Sequence, residues 1–119
     1  MPETDIIEQR TLAALLDNLG GDVEFLKELV DAYLDSTPGL LAVMRQAVSD
    51  GDAAGLQRAA HTLKTGSASM GALALAALCK QLEDMGRSGS LDGAEARIDA
   101  AAAAYDDVAA ALRDHVQAS

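Results

Sequence analysis

Apolar residues recur at intervals of three and four along most of this sequence, and that spacing narrows the possible folds more than any other feature. From Asp22 the stripe runs Leu26, Val30, Tyr33, Leu40, Leu41, Met44 and Val48. A helix of about 3.6 residues per turn gathers such positions on one face. A half-buried strand would need strict alternation, and no segment shows it. Pro38 interrupts the stripe, and proline inside a helix costs roughly 3 kcal/mol or more. The stripe nevertheless keeps its phase across Pro38, with Thr37 filling the missing turn. One long helix kinked at Pro38 is therefore favoured over a break with Ser36 or Thr37 as a new N-cap.

The same spacing continues on both sides. A first helix starts at Thr4 as N-cap and buries Leu12, Leu15, Leu16 and Leu19 before Gly20. Asp52 caps a helix over about residues 52–70 that carries Leu56, Leu63 and Met70. Gly71 is a natural joint, and the helix after it carries Leu75, Leu78, Cys79, Leu82 and Met85. A last long helix carries Ile98, Tyr105, Val108, Leu112 and Val116. Punctuation falls at Gly20-Gly21, from Ser49 to Asp52, and from Gly86 to Gly93. Five or six amphipathic helices with short connections predict an all-α fold, an antiparallel up-and-down bundle. A chain of 119 residues is one domain's worth, so residues 1–119 are read as a single domain.

Composition removes several function classes. Phe25, Tyr33 and Tyr105 are the whole aromatic complement, so the core must come from Leu, Ala, Val, Ile and Met. Stacking platforms for single-stranded nucleic acid are missing. A formal net charge of -10 also opposes phosphate-backbone binding, so no nucleic-acid partner is expected. Cys79 is alone and cannot form an internal disulfide; it shares a face with Leu75, Leu78 and Leu82 and reads as a buried thiol. Met1 to Arg10 is acidic and polar, unlike a signal peptide, and the uncharged stretch around Ala72 to Cys79 is too short to span a membrane. A cytoplasmic protein without membrane contact is expected. Glu24, Glu28, Asp31 and Asp35 form a solvated helix face, not a metal site, because no histidine accompanies them.

The helix over about 52–70 carries the chemistry. With Leu63 as zero on a helical wheel, Leu56, Ala59, Ala60, Gly66, Ser67 and Met70 fall within about 60° and define the core face. His61 lies about 160° away, on the line of Thr65 and Ala68, with Lys64 and Arg58 flanking it within roughly 60°. The sequence thus presents an exposed imidazole on a rigid helix, beside short side chains and between two cations. The ordinary histidine pKa near 6.5 leaves a neutral, nucleophilic ring dominant at about pH 7. Lys64, one turn away, is placed to neutralise an oxygen of a phosphoryl group on that ring. A lone exposed histidine is ordinarily just a surface residue, and His115 near the C-terminal helix end is read that way.

The stretch Ala60-His61-Thr62-Leu63-Lys64-Thr65-Gly66-Ser67-Ala68-Ser69-Met70-Gly71-Ala72 goes further, continued by Leu75, Leu78-Cys79 and Leu82-Glu83. It resembles the signature of histidine-containing phosphotransfer (HPt) domains: Ala-His-x-Leu-Lys, small residues, Gly-Ala, then a Leu-x-x-Leu/Cys run ending in Leu-Glu. Gly21-Asp22, Leu34-Asp35, Pro38 and Gly51-Asp52 extend the likeness over nearly the whole chain. The resemblance implies a four-helix bundle with an accessory N-terminal helix, with His61 phosphorylated and Lys64 supporting the phosphate. Gly71 would end the histidine helix or let it pass close to a neighbour. Such a domain is a phosphoryl carrier without kinase activity and binds no cofactor of its own. Its partners would be response-regulator receiver domains, which supply the aspartate and the Mg2+, and a hybrid sensor histidine kinase. A monomer is expected.

Arg58, Thr65, Ala68 and Leu73 are read as the partner-docking surface. Thr65 departs from the family, which most often has Gly or Ser there; its methyl narrows access to His61, or its hydroxyl bonds the phosphate or the ring. Leu73 falls off the Leu75–Leu82 stripe, either exposed for docking or packed against the joint at Gly71. The phosphoacceptor module of a chemotaxis-type kinase is the nearest alternative, and it is fused to kinase domains that this chain lacks. A dimerising kinase domain fits less well, because Thr62-Leu63-Lys64 stands where an acidic residue and an Arg-Thr-Pro-like run belong. A non-catalytic helical interaction module is the alternative of a different class. A hydrolase has no paired carboxylates, nucleophile-base pair or metal-ligand set to stand on.

Overall fold

The computed structural model describes residues 6–117 and contains five helices: α1 (Gln9–Asn18), α2 (Val23–Asp50), α3 (Ala53–Ser69), α4 (Leu73–Ser88) and α5 (Ala94–Gln117). No strand occurs among the described residues. Helix α2 packs on α3, α3 on α4, α4 on α5, and α5 returns to α2, so one core lies between these four. The core is aliphatic, with Leu26, Val30, Met44, Leu56, Leu63, Leu75, Leu82, Ile98 and Leu112 all buried. Helix α1 touches only α2 and α3, sealing one end with Leu12 and the preceding Ile7.

Local chemistry fixes the boundaries. The carboxylates of Asp22 and Asp52 accept from the backbone N–H of Phe25 (3.1 Å) and Gly55 (2.9 Å), each capping the helix that follows. Helix α1 is shorter than the sequence suggested: Glu8 stands at its N-cap, and Thr4 lies outside the described residues. The segment before α1 is instead tied across the molecule, with Glu8 N–H donating to the Gly71 carbonyl at 2.8 Å. Gly71 has φ +80°, and a Cβ there would stand 2.7 Å from the Glu8 carbonyl oxygen. That residue therefore both ends α3 and lets the N-terminal segment pass, combining two functions the sequence left as alternatives.

Gly86 overturns another expectation. It is not loop punctuation: α4 continues to Ser88, and Gly86 is buried within it. A Cβ at Gly86 would lie 2.6 Å from the Gln57 backbone nitrogen and 2.7 Å from the Ala53 carbonyl oxygen. Glycine here is a close-packing residue where α4 crosses the start of α3. Because Gly86 meets Ala53 and Gln57 while Glu83, earlier on α4, meets His61 and Lys64, the two helices run antiparallel.

Pro38 lies inside one continuous helix, as its unbroken stripe required. Proline has no N–H, so the carbonyl of Leu34, four residues back, loses its helical donor. The Tyr105 hydroxyl on α5 donates to that carbonyl at 2.7 Å in a buried setting. From the residue just before Leu34, the Tyr33 hydroxyl shares a 2.7 Å hydrogen bond with Ser67 of α3, and its ring lies against Gly66. The two tyrosines meet edge-on with centroids 6.5 Å apart. Burial pushes the Tyr33 phenol up to about 12 and raises that of Tyr105, so both hydroxyls stay protonated; Tyr105 donates to Leu34, and in the Tyr33–Ser67 bond either hydroxyl can donate. Tyr105→Phe should destabilise the fold by about 1–3 kcal/mol, the cost of an orphaned buried carbonyl. In a Pro38→Ala background the same change should cost less, since residue 38 regains an N–H for Leu34. Urea unfolding of the four proteins measures this, and an equal cost in both backgrounds would refute the compensation.

Candidate functional site

Helix α3 has its core and outer faces where the wheel placed them. Leu56, Ala59, Ala60, Leu63, Ser67 and Met70 are buried, and His61, Thr65 and Ala68 are exposed on the other side. The His61 side chain is 59% exposed, open enough for another protein to reach. Helix α3 itself contains no Asp or Glu between Ala53 and Ser69, unlike the heavily acidic α2 and α5.

The centre of the site is a residue that the wheel did not single out. Glu83, on α4, is only 4% exposed in its side chain. Its Oε2 lies 2.8 Å from His61 Nδ1 and its Oε1 lies 2.6 Å from Lys64 Nζ. Arg87, one turn along α4, brings a guanidinium nitrogen to 3.4 Å from the same Oε2. The Lys64 ammonium, with the His61 hydrogen bond adding to it, holds the Glu83 carboxyl below the usual carboxylate range despite the opposing effect of burial. An ionised carboxylate can only accept, so His61 Nδ1 must carry a proton. The other ring nitrogen, Nε2, has no partner among the described residues, and in the neutral ring it holds the lone pair.

The remaining predicted residues divide. Arg58 lines a groove of about 550 Å³ beside the ring together with Ala54, Gln57, His61, Thr62 and Glu83. A second groove of about 380 Å³, between α2 and α3, adjoins it at Arg58 and Thr62 and includes the exposed Val43. Thr65 is exposed and its hydroxyl makes no hydrogen bond among the described residues, so it does not hold His61. Leu73 opens α4 with 48% exposure, settling its position in favour of the surface. It lies on the α4 stripe that continues through Ala76, Lys80, Glu83 and Arg87, one edge of which faces α3. Cys79 is fully buried and burial raises its thiol to about 12, so it is an inert core residue. Glu24, Glu28, Asp31 and Asp35 are exposed as expected. His115 is half-buried, not a plain surface residue.

Comparison with known proteins agrees with this geometry. The Hpt domain family model matches residues 28–118. The crystal structure of histidine-containing phosphotransfer protein B (HptB) from Pseudomonas aeruginosa PAO1 is similar over 98% of this chain and 99% of that one, with a TM-score of 0.88 and 29% identity. No curated protein sequence matches. No described helix is long and apolar enough to cross a membrane. An aliphatic helical fold presenting an exposed histidine on α3, matched along 28–118 by the family model, places the chain in the Hpt domain family, the phosphocarriers of two-component signalling.

Proposed function

We propose that His61 carries the phosphoryl group, taking it from an aspartyl phosphate on one receiver domain and passing it to the aspartate of another. The observation that carries this reading is the buried Glu83 carboxylate on His61 Nδ1. It fixes the ring orientation and leaves Nε2 as the solvent-facing nucleophile. On attack, the P–O bond of the acyl phosphate breaks and its electron pair stays on the receiver's carboxylate as P–Nε2 forms. Nδ1 keeps its proton, the ring becomes cationic, and Glu83 lies 2.8 Å away to stabilise that charge. Lys64 supports the phosphoryl oxygens from the next turn of α3. The chain itself supplies a positioned nucleophile, and the receiver supplies most of the in-line chemistry.

In this reading Arg58, Thr65, Ala68 and Leu73 belong to the receiver-docking surface, continued by the groove beside Val43. A hybrid sensor kinase is a further partner. The receiver brings the Mg2+ in this reading, and this chain binds no cofactor of its own. Helices α2 to α5 form an antiparallel up-and-down four-helix bundle with α1 as the accessory helix. The protein acts as a single-domain cytoplasmic monomer without kinase activity of its own.

A phosphorylated receiver should label the wild-type protein with an acid-labile, alkali-stable phosphoryl group, and His61→Gln should abolish the label. No label from any active receiver of a panel would favour a non-catalytic interaction module, and label persisting in the variant would move the chemistry off His61. Glu83→Gln keeps an acceptor for Nδ1 but removes the charge, so phosphoryl acceptance should slow at least about tenfold.

The same carboxylate makes a prediction about stability. Its folded pKa lies below the ordinary 4.5, so its contribution is complete above that value and is lost as pH falls through the folded value. The stability gap between wild type and Glu83→Gln should therefore narrow as pH falls below about 4.5 in urea titrations. A gap independent of pH would contradict an ionised, paired Glu83.

A further inference from the structure

Resting on His61 as the phosphoryl carrier, we infer that the Thr65 hydroxyl is a neutral hydrogen-bond donor to the phosphoryl group on Nε2, acting from the flank of α3 that faces away from α4. Successive helical residues turn by about 100°, so Lys64 lies about 60° to one side of the His61 line and Thr65 about 40° to the other. Contacts with the neighbouring helices identify the two sides. Lys64 meets Glu83 of α4, and Gly86 of α4 abuts Ala53 and Gln57, which the wheel puts on the same side as Lys64. Gly55, Ala59 and Thr62 lie on the Thr65 side and line the groove toward α2.

The imidazole is oriented across these flanks. Its Nδ1 points to Glu83, on the α4 side, at 2.8 Å. Nε2 lies across the five-membered ring from Nδ1 and so turns away from α4, toward the Thr65 side. Helical side chains lean toward the N-terminus of their helix. Thr65, one turn beyond His61, therefore projects back over the turn that carries the ring. Both conditions put the hydroxyl beside the place where the P–Nε2 bond forms.

The hydroxyl is also uncommitted. A helical threonine commonly returns its hydroxyl to a carbonyl one turn back. Thr62 does so to Arg58 at 3.1 Å, and Thr37 to Tyr33 at 2.7 Å. Thr65 is exposed and makes no such bond among the described residues, and α3 has no Asp or Glu to capture its proton. Lys64, by contrast, is already engaged by the buried Glu83 at 2.6 Å. A phosphoryl group brings strong acceptor oxygens, and a hydroxyl donating to one of them makes a short, charge-assisted bond. The methyl of the same side chain faces the docking surface, so substitution can separate the two ends of Thr65.

The test uses the full chain, phosphorylated by phosphoramidate in the absence of any receiver, in wild type, Thr65→Val, Thr65→Ser and His61→Gln. Valine keeps the branched shape and removes the donor, whereas serine keeps the donor and removes the methyl. 31P NMR follows the phosphohistidine resonance through a pH titration, with the charged groups Arg58, Lys64, Glu83 and Arg87 common to every variant. A donor on a phosphoryl oxygen favours the dianion, so Thr65→Val should shift the titration to higher pH, and the conservative Thr65→Ser should bring it back toward wild type. With a receiver added, Thr65→Val should lower the equilibrium share of phospho-His61 over phospho-receiver by about fivefold. Circular dichroism of each variant confirms that the helices are retained. Unchanged titration and partition in Thr65→Val, or a loss in Thr65→Ser without one in Thr65→Val, would reduce Thr65 to its shape and overturn this inference alone. Failure of wild type to be labelled on His61, judged against His61→Gln, would overturn it together with the reading on which it rests.

Discussion

A carboxylate removed from water must find cations and donors for its oxygens, and the α3–α4 side of this molecule is organised around that requirement at Glu83. The side chain is almost entirely buried, yet both oxygens are occupied by positively charged or donating groups from two helices. Removing such a carboxylate's partners would leave a charge that burial penalises by several kcal/mol. The same geometry that satisfies Glu83 therefore locks the orientation of His61. Stability and reactivity are here one interaction seen from two sides: the donor that Glu83 needs is the proton whose position leaves Nε2 free.

That interaction depends on how closely α4 passes α3. Gly86 brings the α4 backbone against Ala53 and Gln57, and Gly71 reverses the chain so that the two helices return side by side. Any side chain at position 86 would push the helices apart one turn from where Glu83 meets the ring. Behind α3, Tyr33 and Ser67 pin it to α2, and Tyr105 meets the carbonyl that Pro38 leaves without a donor. His61 is thus borne on a helix supported from both flanks, which is what an exposed ring needs if its direction is to be kept.

The parts legible in the sequence were those encoded within a single helix. The phase of α3 gave the buried face of Leu56, Leu63 and Met70 and the exposed His61, because 3.6-residue periodicity is a local property. The continuity of α2 through Pro38 was legible for the same reason. Glu83 appeared in the Leu82-Glu83 ending of the family signature, but its role required the register of α4 against α3, which is 22 residues distant in sequence and set by packing. One signal was available: Glu83 lies one position from the buried Leu82, at the edge of an apolar stripe, where a carboxylate needs a partner. Gly86 was misread because a glycine at a helix crossing and a glycine in a loop look alike without the neighbouring backbone.

Charge distribution extends the same logic to the partner. The chain carries a formal charge of -10, and a receiver's phosphorylation site must itself gather carboxylates to hold its metal and its aspartate. Two acidic surfaces repel unless the contact region is locally different. Helix α3 is locally different in that sense: it has no Asp or Glu along its length, and Arg58 and Lys64 flank His61. The acid sits instead on α2 and α5, where Glu24, Glu28, Asp31, Asp35, Asp106 and Asp107 are exposed. At physiological salt, screening over about 8 Å makes the face nearest the partner count for more than the distant charge. Under the proposed reading, the acidic helices disfavour approach by any other face and orient the encounter toward His61.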